Sequence, residues 1–482
     1  MNAFKRKSLY ATLAGIGTLA AAGAVQAVNV NPDGHGQVLI YPYYTVRTIG
    51  AAPGSPYNSL LSVVNTTASA KAVKVRFIEG KNSREVLDFN LFLSAKDVWT
   101  AAVLPVGAGA GVTTADVSCT APKVTGTVPF VASAYQGDGG GDGIERTTEG
   151  YVEIIEMGTI AAASKTETGV THVSGVPTCK DIDDASVTAA IRNPTGGLFG
   201  GMSLVNVLAG VDISSNAVAL DNFRTTGKYD LPGDIKPDLR DVSPATAVLF
   251  DGSVVRSATG FAQPVDAVSA LFMMNRVYNE YVLDNVTKSG TDWVVTMPTK
   301  RYYYDNTNGK VSYLFQRNFV TNACDDVGLT RWDREEQTPT VAPGFSPPPP
   351  PGKVAGLCYE ANVLSFKSTA SGSPGTNNIL GSANSITAET PYQNGWADLS
   401  FGAVSSFQGA FAHYLPASAI TTTQVTGATA TAAGTFFGLP VIGFAAQTFT
   451  NGTLTVPVTG GTSLVQANYA GTFAHRGTRL VQ

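Results

Sequence analysis

The sequence predicts a mainly β protein built as an antiparallel β-sandwich, either Ig-like or a composite double sandwich, with one amphipathic helix. Three observations carry this prediction. Apolar and polar residues alternate along short segments, Gly, Asn and Asp separate those segments at intervals of about 8–12 residues, and Val and Thr are abundant. β-Branched side chains fit the pleated surface of a sheet. No repeat with a period of about 20–50 residues occurs, so neither a solenoid nor a propeller is predicted.

Composition limits the class of protein before any motif is considered. Of the 482 residues, 44% are apolar and only 14% are charged, against about 25% charged residues in an ordinary soluble domain. The apolar content suffices for a large core and excludes a disordered chain, while the low charge excludes a coiled coil. Because the 32 Lys and Arg residues do not outnumber the 36 Asp and Glu residues, no basic surface for nucleic acid is expected.

The first 27 residues have the features of a secretory signal peptide. Lys5, Arg6 and Lys7 form a positive start, and a stretch rich in Ala, Gly, Leu and Thr follows. Ala27 ends a Val-Gln-Ala site of the kind that signal peptidase cleaves. We therefore expect export, with the mature protein at the cell surface or outside the cell and the periplasm as the alternative. No later segment has the roughly 20 apolar residues that a membrane-spanning helix needs.

The four cysteines agree with an exported protein. Three pairings are possible, and we expect the local one, in which each disulfide encloses one polar, irregular stretch. In the chain-entropy model, closing loops of this length stabilises the fold by roughly 4 kcal/mol each. A metal site is the alternative, but no Cys-x-x-Cys spacing occurs and no His lies near the cysteines. The expected pairs are Cys119 with Cys179 and Cys324 with Cys358.

Alternation places the strands along the chain. Between residues 72 and 78, Val73, Val75 and Phe77 point to one face of a strand. Lys74 and Arg76 point to the opposite face. The same pattern predicts strands at residues 37–46, 59–65, 85–93, 151–157, 203–207, 217–220, 293–296 and 311–315, and through about the last 90 residues.

One segment departs from the alternation. After Pro264, apolar side chains recur at helical spacing from residue 265 to residue 283, which predicts one amphipathic helix. Met273 and Met274 lie within it and are expected to fill space in the core.

A polar stretch over residues 225–243, interrupted by Pro and Gly, predicts a domain boundary near residue 235. The expected N-terminal domain is a β-sandwich over residues 28–235. The expected C-terminal domain, residues 236–482, is β-rich and contains the helix. It also contains a Pro-rich loop, residues 347–351, which the second disulfide tethers to the surface.

Asp138, Asp142 and Glu145 lie in a Gly-rich stretch and are the candidate metal ligands. Carboxylates on a flexible loop suit a hard cation such as calcium, which binds six to eight oxygen atoms. Their spacing does not match an EF-hand, so a solvated hairpin loop is the alternative. Calcium is the one cofactor considered, and no other is expected.

Tyr302, Tyr304 and Trp332 are the candidate ligand-binding residues. On a strand, the consecutive Tyr302, Tyr303 and Tyr304 would divide between the two faces, and at least one face would carry aromatic surface. Such rings, together with Trp332, can stack on sugar rings. The pattern therefore predicts a binding surface without naming its ligand.

The sequence predicts no catalytic residues. The four His residues are not accompanied by a Gly-x-Ser-x-Gly elbow, and residues 196–201 lack the Lys-Ser/Thr pair of a phosphate-binding loop. Asp333 and Glu335 are the carboxylates that a glycoside hydrolase would need. Neighbouring residues on one strand suit the required gap poorly, so an exposed cluster of charges is the preferred interpretation.

Five sequence motifs are distinctive: NSREVLDF (residues 82–89), EGYVEIIEM (149–157), GGLFGG (196–201), WVVTMPTKR (293–301) and ANYAGTF (467–473). Together they resemble a family of exported, β-rich cell-surface proteins of Gram-negative bacteria, over nearly the whole mature chain. The resemblance implies export and a surface location. The family has no assigned activity, so the resemblance gives no role to any residue.

These inferences predict a non-catalytic exported protein with a structural, matrix or adhesive role at or beyond the cell surface. Low charge and abundant Thr, Gly, Ala and Val favour rigid sheets whose faces and edges make lateral contacts. The expected partners are further copies of the chain or a cell-surface polymer, without nucleic acid and without a membrane span. The alternatives are a carbohydrate- or calcium-dependent binding module and a secreted polysaccharide hydrolase.

Overall fold

A computed structural model describes residues 26–49, 56–251, 254–304, 314–315, 324–325, 327–338, 356–370, 378–401, 413–424, 427–459 and 461–482. Of the residues in these ranges, 53% are in strands and 9% in helices, which confirms the mainly β fold class with sandwich-type antiparallel sheets. Three predicted features fall wholly or mostly outside these ranges: the signal peptide, the Pro-rich loop and the strand at residues 311–315.

Fourteen strands precede residue 222 within the described ranges, and the predicted strands at residues 37–46, 59–65, 72–78 and 85–93 are β2 to β5. The strands are β1 (Asn29–Val30), β2 (Val38–Thr45), β3 (Asn58–Asn65), β4 (Lys71–Glu79), β5 (Glu85–Leu93), β6 (Val98–Val106), β7 (Gly109–Thr113), β8 (Cys119–Ala121), β9 (Thr127–Pro129), β10 (Glu149–Ile160), β11 (Ile191–Arg192), β12 (Leu198–Asn206), β13 (Val211–Asn216) and β14 (Val218–Asp221).

Sixteen strands follow in the described remainder of the chain. They are β15 (Ala247–Asp251), β16 (Val254–Thr259), β17 (Met273–Met274), β18 (Arg276–Val282), β19 (Gly290–Thr296), β20 (Gly328–Asp333), β21 (Ala361–Ser368), β22 (Ser385–Thr390), β23 (Asn394–Ser400), β24 (Tyr414–Gln424), β25 (Thr429–Phe437), β26 (Leu439–Pro440), β27 (Ile442–Val458), β28 (Gly461–Ala474), β29 (Arg476–Thr478) and β30 (Leu480–Val481). Of the pairs that these named strands make, β21 with β22 is parallel and the others are antiparallel.

The helices are short. They are α1 (Lys165–Val170), α2 (Asp184–Ala190), α3 (Val265–Phe272) and α4 (Arg301–Tyr304), with 3₁₀ turns at Ser133–Tyr135, Ile144–Thr148 and Leu239–Asp241. None of the helices in the described ranges combines the length and the apolar character that a bilayer crossing demands.

An eight-stranded sheet forms the central layer, in the order β1-β14-β2-β10-β4-β5-β8 with β11 beside β10. One of its faces packs against a six-stranded sheet, β13-β12-β3-β6-β7-β9. The core between them contains inward-facing residues of both sheets, among them Tyr41, Phe77, Trp99 and Met202. This pair of sheets is the sandwich that the alternating pattern predicts.

The opposite face of the central sheet packs against the second half of the chain. Here Ile40 and Ile155 of the central sheet share a core with residues of α3 and with Trp293 of β19. The C-terminal strands form two five-stranded sheets, β15-β16-β24-β25-β30 and β22-β21-β19-β27-β28, a four-stranded sheet, β20-β23-β18-β29, and the pair β17-β26. Each of the two large hydrophobic cores contains residues from before and after residue 235, so the two expected domains have their cores in common. The domain boundary near residue 235 stays a prediction.

The predicted helix at residues 265–283 is wrong in length and in character. Helix α3 ends at Phe272, and Met273 begins a β-strand that pairs with β26. All eight residues of α3 are buried, so the helix has no polar face in solvent. Residues 276–282 fit both helical and alternating spacing, and their Val and Tyr side chains pack better on a sheet. Helices α1, α2 and α4 were not predicted.

The predicted disulfides are confirmed. Cys119 is bonded to Cys179 and Cys324 to Cys358, with sequence separations of 60 and 34 residues. Since all four sulfur atoms are in disulfides, the metal alternative for the cysteines is excluded. Two disulfides fit an exported protein.

The charged face of β4 is buried. Lys74 and Arg76 do point away from Val75 and its neighbours, but neither side chain is exposed to solvent. Arg76 forms ion pairs of 2.6 Å with Glu85 and with Glu153. Lys74 pairs with Asp88 at 2.7 Å and donates a hydrogen bond to the carbonyl oxygen of Leu231, so part of the expected linker at residues 225–243 covers this face.

Candidate functional site

Three aromatic side chains share the solvent face of the four-stranded sheet. Trp332 lies in β20, Trp396 in β23 and Tyr278 in β18, three consecutive strands of that sheet. Alternation along β23 directs Ala397 and Leu399 into the core and leaves Trp396 40% exposed. We call Trp332, Trp396 and Tyr278 the tryptophan platform.

The two tryptophans are stacked. Strand register places Trp332 directly opposite Trp396, and their ring centroids are 4.1 Å apart with an interplanar angle of 11°. Tyr278 adjoins Trp396 at 6.2 Å. An aromatic pair of this kind contributes about 0.5–1.5 kcal/mol beyond the burial of its surface, which holds both rings in a fixed orientation.

The platform is supported from beneath by a buried tyrosine. The Tyr281 hydroxyl donates a hydrogen bond of 3.0 Å to the carbonyl oxygen of Trp332, and its ring stacks on Phe366 at 5.2 Å. Burial raises the pKa of Tyr281 to about 12, so it remains a donor at neutral pH. A Cβ atom at Gly395 would lie 1.8 Å from the same Trp332 oxygen, so only glycine allows this close pairing of β20 and β23.

An exposed charge lies beside the aromatic rings. Glu280 lies opposite Trp396 on β18 and is exposed. Arg331 lies opposite Ala397 and therefore on the core-facing side of β20, where it is half-buried and donates a hydrogen bond to the carbonyl oxygen of Glu389; burial lowers the pKa of Arg331. Trp396 is exposed, and Trp332 and Tyr278 are half-buried. Aromatic rings with a polar group at their margin are suited to binding an amphipathic partner. The arrangement brings no nucleophile and base together.

Of the three residues chosen from the sequence as ligand-binding, Trp332 is on this platform. The sequence did not place Trp396 or Tyr278 beside Trp332, and Tyr278 was assigned to the predicted helix. The alternation of exposed Trp396 with buried Ala397 is visible in the sequence, but the pairing of β20 with β23 joins segments about 64 residues apart and has no local signal.

The strand expected at residues 302–304 is wrong. Arg301–Tyr304 is the helical turn α4. The Tyr302 ring lies between the guanidinium groups of Arg240 and Arg301, at 5.1 and 5.2 Å, and burial raises its pKa. The side chain of Tyr304 lies outside the described part of the chain. A ligand-binding role for Tyr302 and Tyr304 stays a prediction and does not enter the proposed function.

The side chain of the neighbouring residue Tyr303 contacts helix α3. Its hydroxyl group lies 2.7 Å from a carboxylate oxygen of Asp266 and 2.7 Å from the Ser269 hydroxyl, both on α3. These contacts attach α4 to α3 through Tyr303.

Two of the candidate calcium ligands already have partners: Asp138 forms an ion pair, and Asp142 accepts a hydrogen bond within a turn. Asp138 binds Arg146 through both oxygens, at 2.6 and 3.0 Å. Burial works to raise the pKa of Asp138, but the hydrogen bonds from Arg146 and from the Gly140 amide outweigh it and hold the pKa below its ordinary value. Asp142 accepts a hydrogen bond from the Gly137 amide at 2.8 Å.

Glu145, the third candidate, lies in the first turn of a 3₁₀ helix. Within the described ranges no group of three or more His, Cys, Asp or Glu side chains is arranged to hold a metal ion. Calcium binding stays a prediction, and an ion at Asp138 would first have to displace the Arg146 guanidinium.

Two arrangements resemble catalytic groups and lack the required geometry. His172 Nδ1 lies 3.0 Å from Ser94 Oγ and 3.7 Å from Asp97, so one nitrogen meets both partners, whereas a Ser-His-Asp triad uses the two nitrogens separately. Asp333 accepts hydrogen bonds from the amides of Glu335 and Gln337, which ties its carboxylate to a turn.

Comparisons with protein-family models, with curated proteins and with solved structures found no match for this chain. Fold and site define it as a mainly β, disulfide-bonded protein with an aromatic platform on one sheet. The resemblance to exported cell-surface proteins stays a prediction.

Proposed function

We propose that the protein is a non-catalytic exported protein that adheres to a cell-surface or matrix polymer through the tryptophan platform. The observation that carries the proposal is the stacked Trp332–Trp396 pair, of which Trp396 is exposed and Trp332 half-buried, on a sheet whose other face packs in the core. Tryptophan and tyrosine dominate the binding energy of many interfaces because they bury a large surface at little entropic cost. Two disulfides support a role outside the cytoplasm.

We expect replacement of both tryptophans to weaken polymer binding while leaving the fold intact. Trp332→Ala with Trp396→Ala removes the stack from a surface that contributes little to the core, so binding should weaken at least about tenfold, equivalent to about 1.4 kcal/mol. Affinity electrophoresis of the purified protein in gels containing cell-surface polysaccharide measures the change.

Tyr469→Ala is the matched control, because Tyr469 is an aromatic residue that is 55% exposed and lies outside the platform. Its variant should migrate like the native protein. Equal retardation of the native protein and the double variant would contradict the proposal.

A structural role through self-association is a second candidate, and the β27–β28 hairpin favours it. Strand β28 is the edge of its sheet, and β19 pairs with β27 only over residues 442–448, so the rest of the hairpin is a two-stranded ribbon. Between Asp398 and Arg476 the sequence contains no Asp, Glu, Lys or Arg. Natural edge strands usually carry charges that block pairing with another chain, and this edge has none.

We expect charges at this edge to prevent association. Thr462→Lys with Ser463→Lys in β28 should shift the protein toward monomer in sedimentation velocity, because like charges would meet where two edges pair. Thr421→Lys with Thr423→Lys is the control, since β24 is flanked by β16 and β25. A native protein that sediments as a monomer at every concentration would reject this second candidate.

A further inference from the structure

A cleft of about 1250 Å³ lies on the outer face of the six-stranded sheet, which forms its floor. Five neighbouring strands, β13, β12, β3, β6 and β7, contribute to the floor. Strands lie about 4.8 Å apart, so the floor is about 20 Å long across the strands. At the β13 end the cleft is lined by Phe444 and Thr472 of the β27–β28 hairpin, and Thr472 donates a hydrogen bond to the Ser214 carbonyl oxygen. The cleft has room for an extended molecule.

The lining of the cleft carries no charge. None of the residues that line it is Asp, Glu, Lys, Arg or His. The recommended Lys, Arg, Asp and Glu content of a soluble protein surface is about 25–35%. Even in a chain that is 14% charged overall, a lining of this size without any of these residues is distinctive. The carboxylate of Asp212 lies at the margin, where it accepts a hydrogen bond of 3.0 Å from Ser214 Oγ. An ionic ligand would find no counter-charge on the floor.

Small and hydroxylated side chains form two parallel rows on the floor. Strand register aligns residues of neighbouring strands across the sheet, and the outward-facing members of each row point into the cleft. The first row is Asn216, Gly201, Ser62 and Thr100, and the second is Ser214, Ser203, Leu60, Ala102 and Thr113.

Several of these polar groups are available to a ligand. Ser62 Oγ, Thr100 Oγ1 and the Asn216 amide have no hydrogen-bond partner within the described part of the chain. Hydroxyl groups both donate and accept, as does a side-chain amide. Leu60, in the middle of the second row, is 44% exposed and offers an apolar contact between the polar groups.

We propose that this cleft binds a neutral polysaccharide, a chain of uncharged sugar residues lying across the strands. Sugar hydroxyls can donate hydrogen bonds to the hydroxyl and amide groups of the floor and accept them, and exposed Leu60 offers a surface for the C–H face of a sugar ring. Acidic polysaccharides and nucleic acids need cations that the lining lacks. A peptide that adds to the backbone of an edge strand would have to use β13, because β3, β6, β7 and β12 are flanked on both sides. A peptide is disfavoured because the β27–β28 hairpin lies against that edge, where Thr472 donates a hydrogen bond to the Ser214 carbonyl oxygen.

The cleft is separate from the tryptophan platform, and the inference goes beyond the proposed function because it assigns a second binding site with a ligand of its own. Linear neutral glucan, mannan and galactan, with the polyanion alginate for comparison, are titrated into the full-length protein by isothermal calorimetry. Ser62→Tyr places a ring in the centre of the floor and should weaken binding of the neutral glycan at least about tenfold. Asn58→Tyr, on the same strand and face but outside the lining, should change binding less than about twofold.

A milder pair, Ser62→Ala with Thr100→Val, removes two hydroxyls without adding bulk and should also weaken binding. Binding to the cleft should persist in the Trp332→Ala, Trp396→Ala protein. No binding of any neutral glycan, equal loss in Asn58→Tyr and Ser62→Tyr, or tighter binding of alginate would overturn the inference. Glycan binding that is lost in the double tryptophan variant and kept in Ser62→Tyr would overturn it while supporting the platform.

Discussion

Arg76→Met is expected to destabilise the protein by about 3–5 kcal/mol, one of the two largest effects that the structure predicts. Arg76 is fully buried and pairs with Glu153, which is also fully buried, and with Glu85. Methionine fills similar space but leaves the buried Glu153 carboxylate without its ion-pair partner, and only the more distant charge of Arg301 still favours the ionised form. Urea unfolding at pH 7.5, followed by circular dichroism, measures the loss.

The Arg76 effect should depend on pH. Burial, opposed by Arg76, raises the pKa of Glu153 to about 6 from 4.5. A raised folded-state pKa means that the cost of the buried charge is present above pH 6 and disappears as the pH falls below 4.5. The deficit of Arg76→Met should therefore be smaller at pH 4.5 than at pH 7.5, and Glu153→Gln added to Arg76→Met should recover part of it.

Lys236→Met is the control for Arg76, because Lys236 pairs with Asp241 while 48% exposed. An exposed ion pair of this kind contributes about 0–1 kcal/mol. Similar losses for Arg76→Met and Lys236→Met would contradict the assignment of Arg76 to a buried network.

Removing the first disulfide is expected to have the second large effect. Cys119→Ala with Cys179→Ala opens a loop with a sequence separation of 60, for which the chain-entropy model gives a loss of about 4 kcal/mol. Cys119 also belongs to a third, smaller core cluster, in which it packs with Phe92 and with Val170 of α1. Chemical unfolding gives the loss, and hydrogen exchange should show its largest increase in α1 and α2.

A variant without the second disulfide, Cys324→Ala with Cys358→Ala, is compared with the variant that lacks the first. Its sequence separation of 34 gives nearly the same entropic loss, about 4 kcal/mol, because the effect varies with the logarithm of loop length. Exchange in α1 and α2 should not change in this second variant. A loss below about 1 kcal/mol for the Cys119–Cys179 pair would contradict the expected stabilisation.

Local pattern was sufficient for much of the fold. The alternation over residues 85–93 coincides with β5, and the polar stretches between the cysteines indicated the correct disulfide pairs. The local pattern gave the wrong element where both the helical and the strand spacing fit the same residues. Residues 273–283 are the example, because their apolar side chains suit a helix and a strand equally well. Packing against β23 decides that case in favour of β18.

The buried charges and the platform depend on contacts between distant segments. A strand with Lys74 and Arg76 on one face has the pattern of a half-exposed strand. Its burial also depends on distant groups: Glu153, 77 residues from Arg76, and the covering segment near Leu231. Trp332 was recognisable as a candidate because it is a tryptophan beside charged residues. Its stacking partner Trp396 is set by strand register, which no local pattern contains.

Hydroxyl-radical footprinting with mass spectrometry tests the central proposal most directly. The protein is labelled free in solution and again in the presence of the surface polymer from cells that produce it, and oxidation is read at Trp332, Trp396 and Tyr469. Polymer adhesion through the platform predicts a several-fold fall in oxidation of both tryptophans with Tyr469 unchanged. Unchanged oxidation of Trp332 and Trp396 at saturating polymer would contradict it.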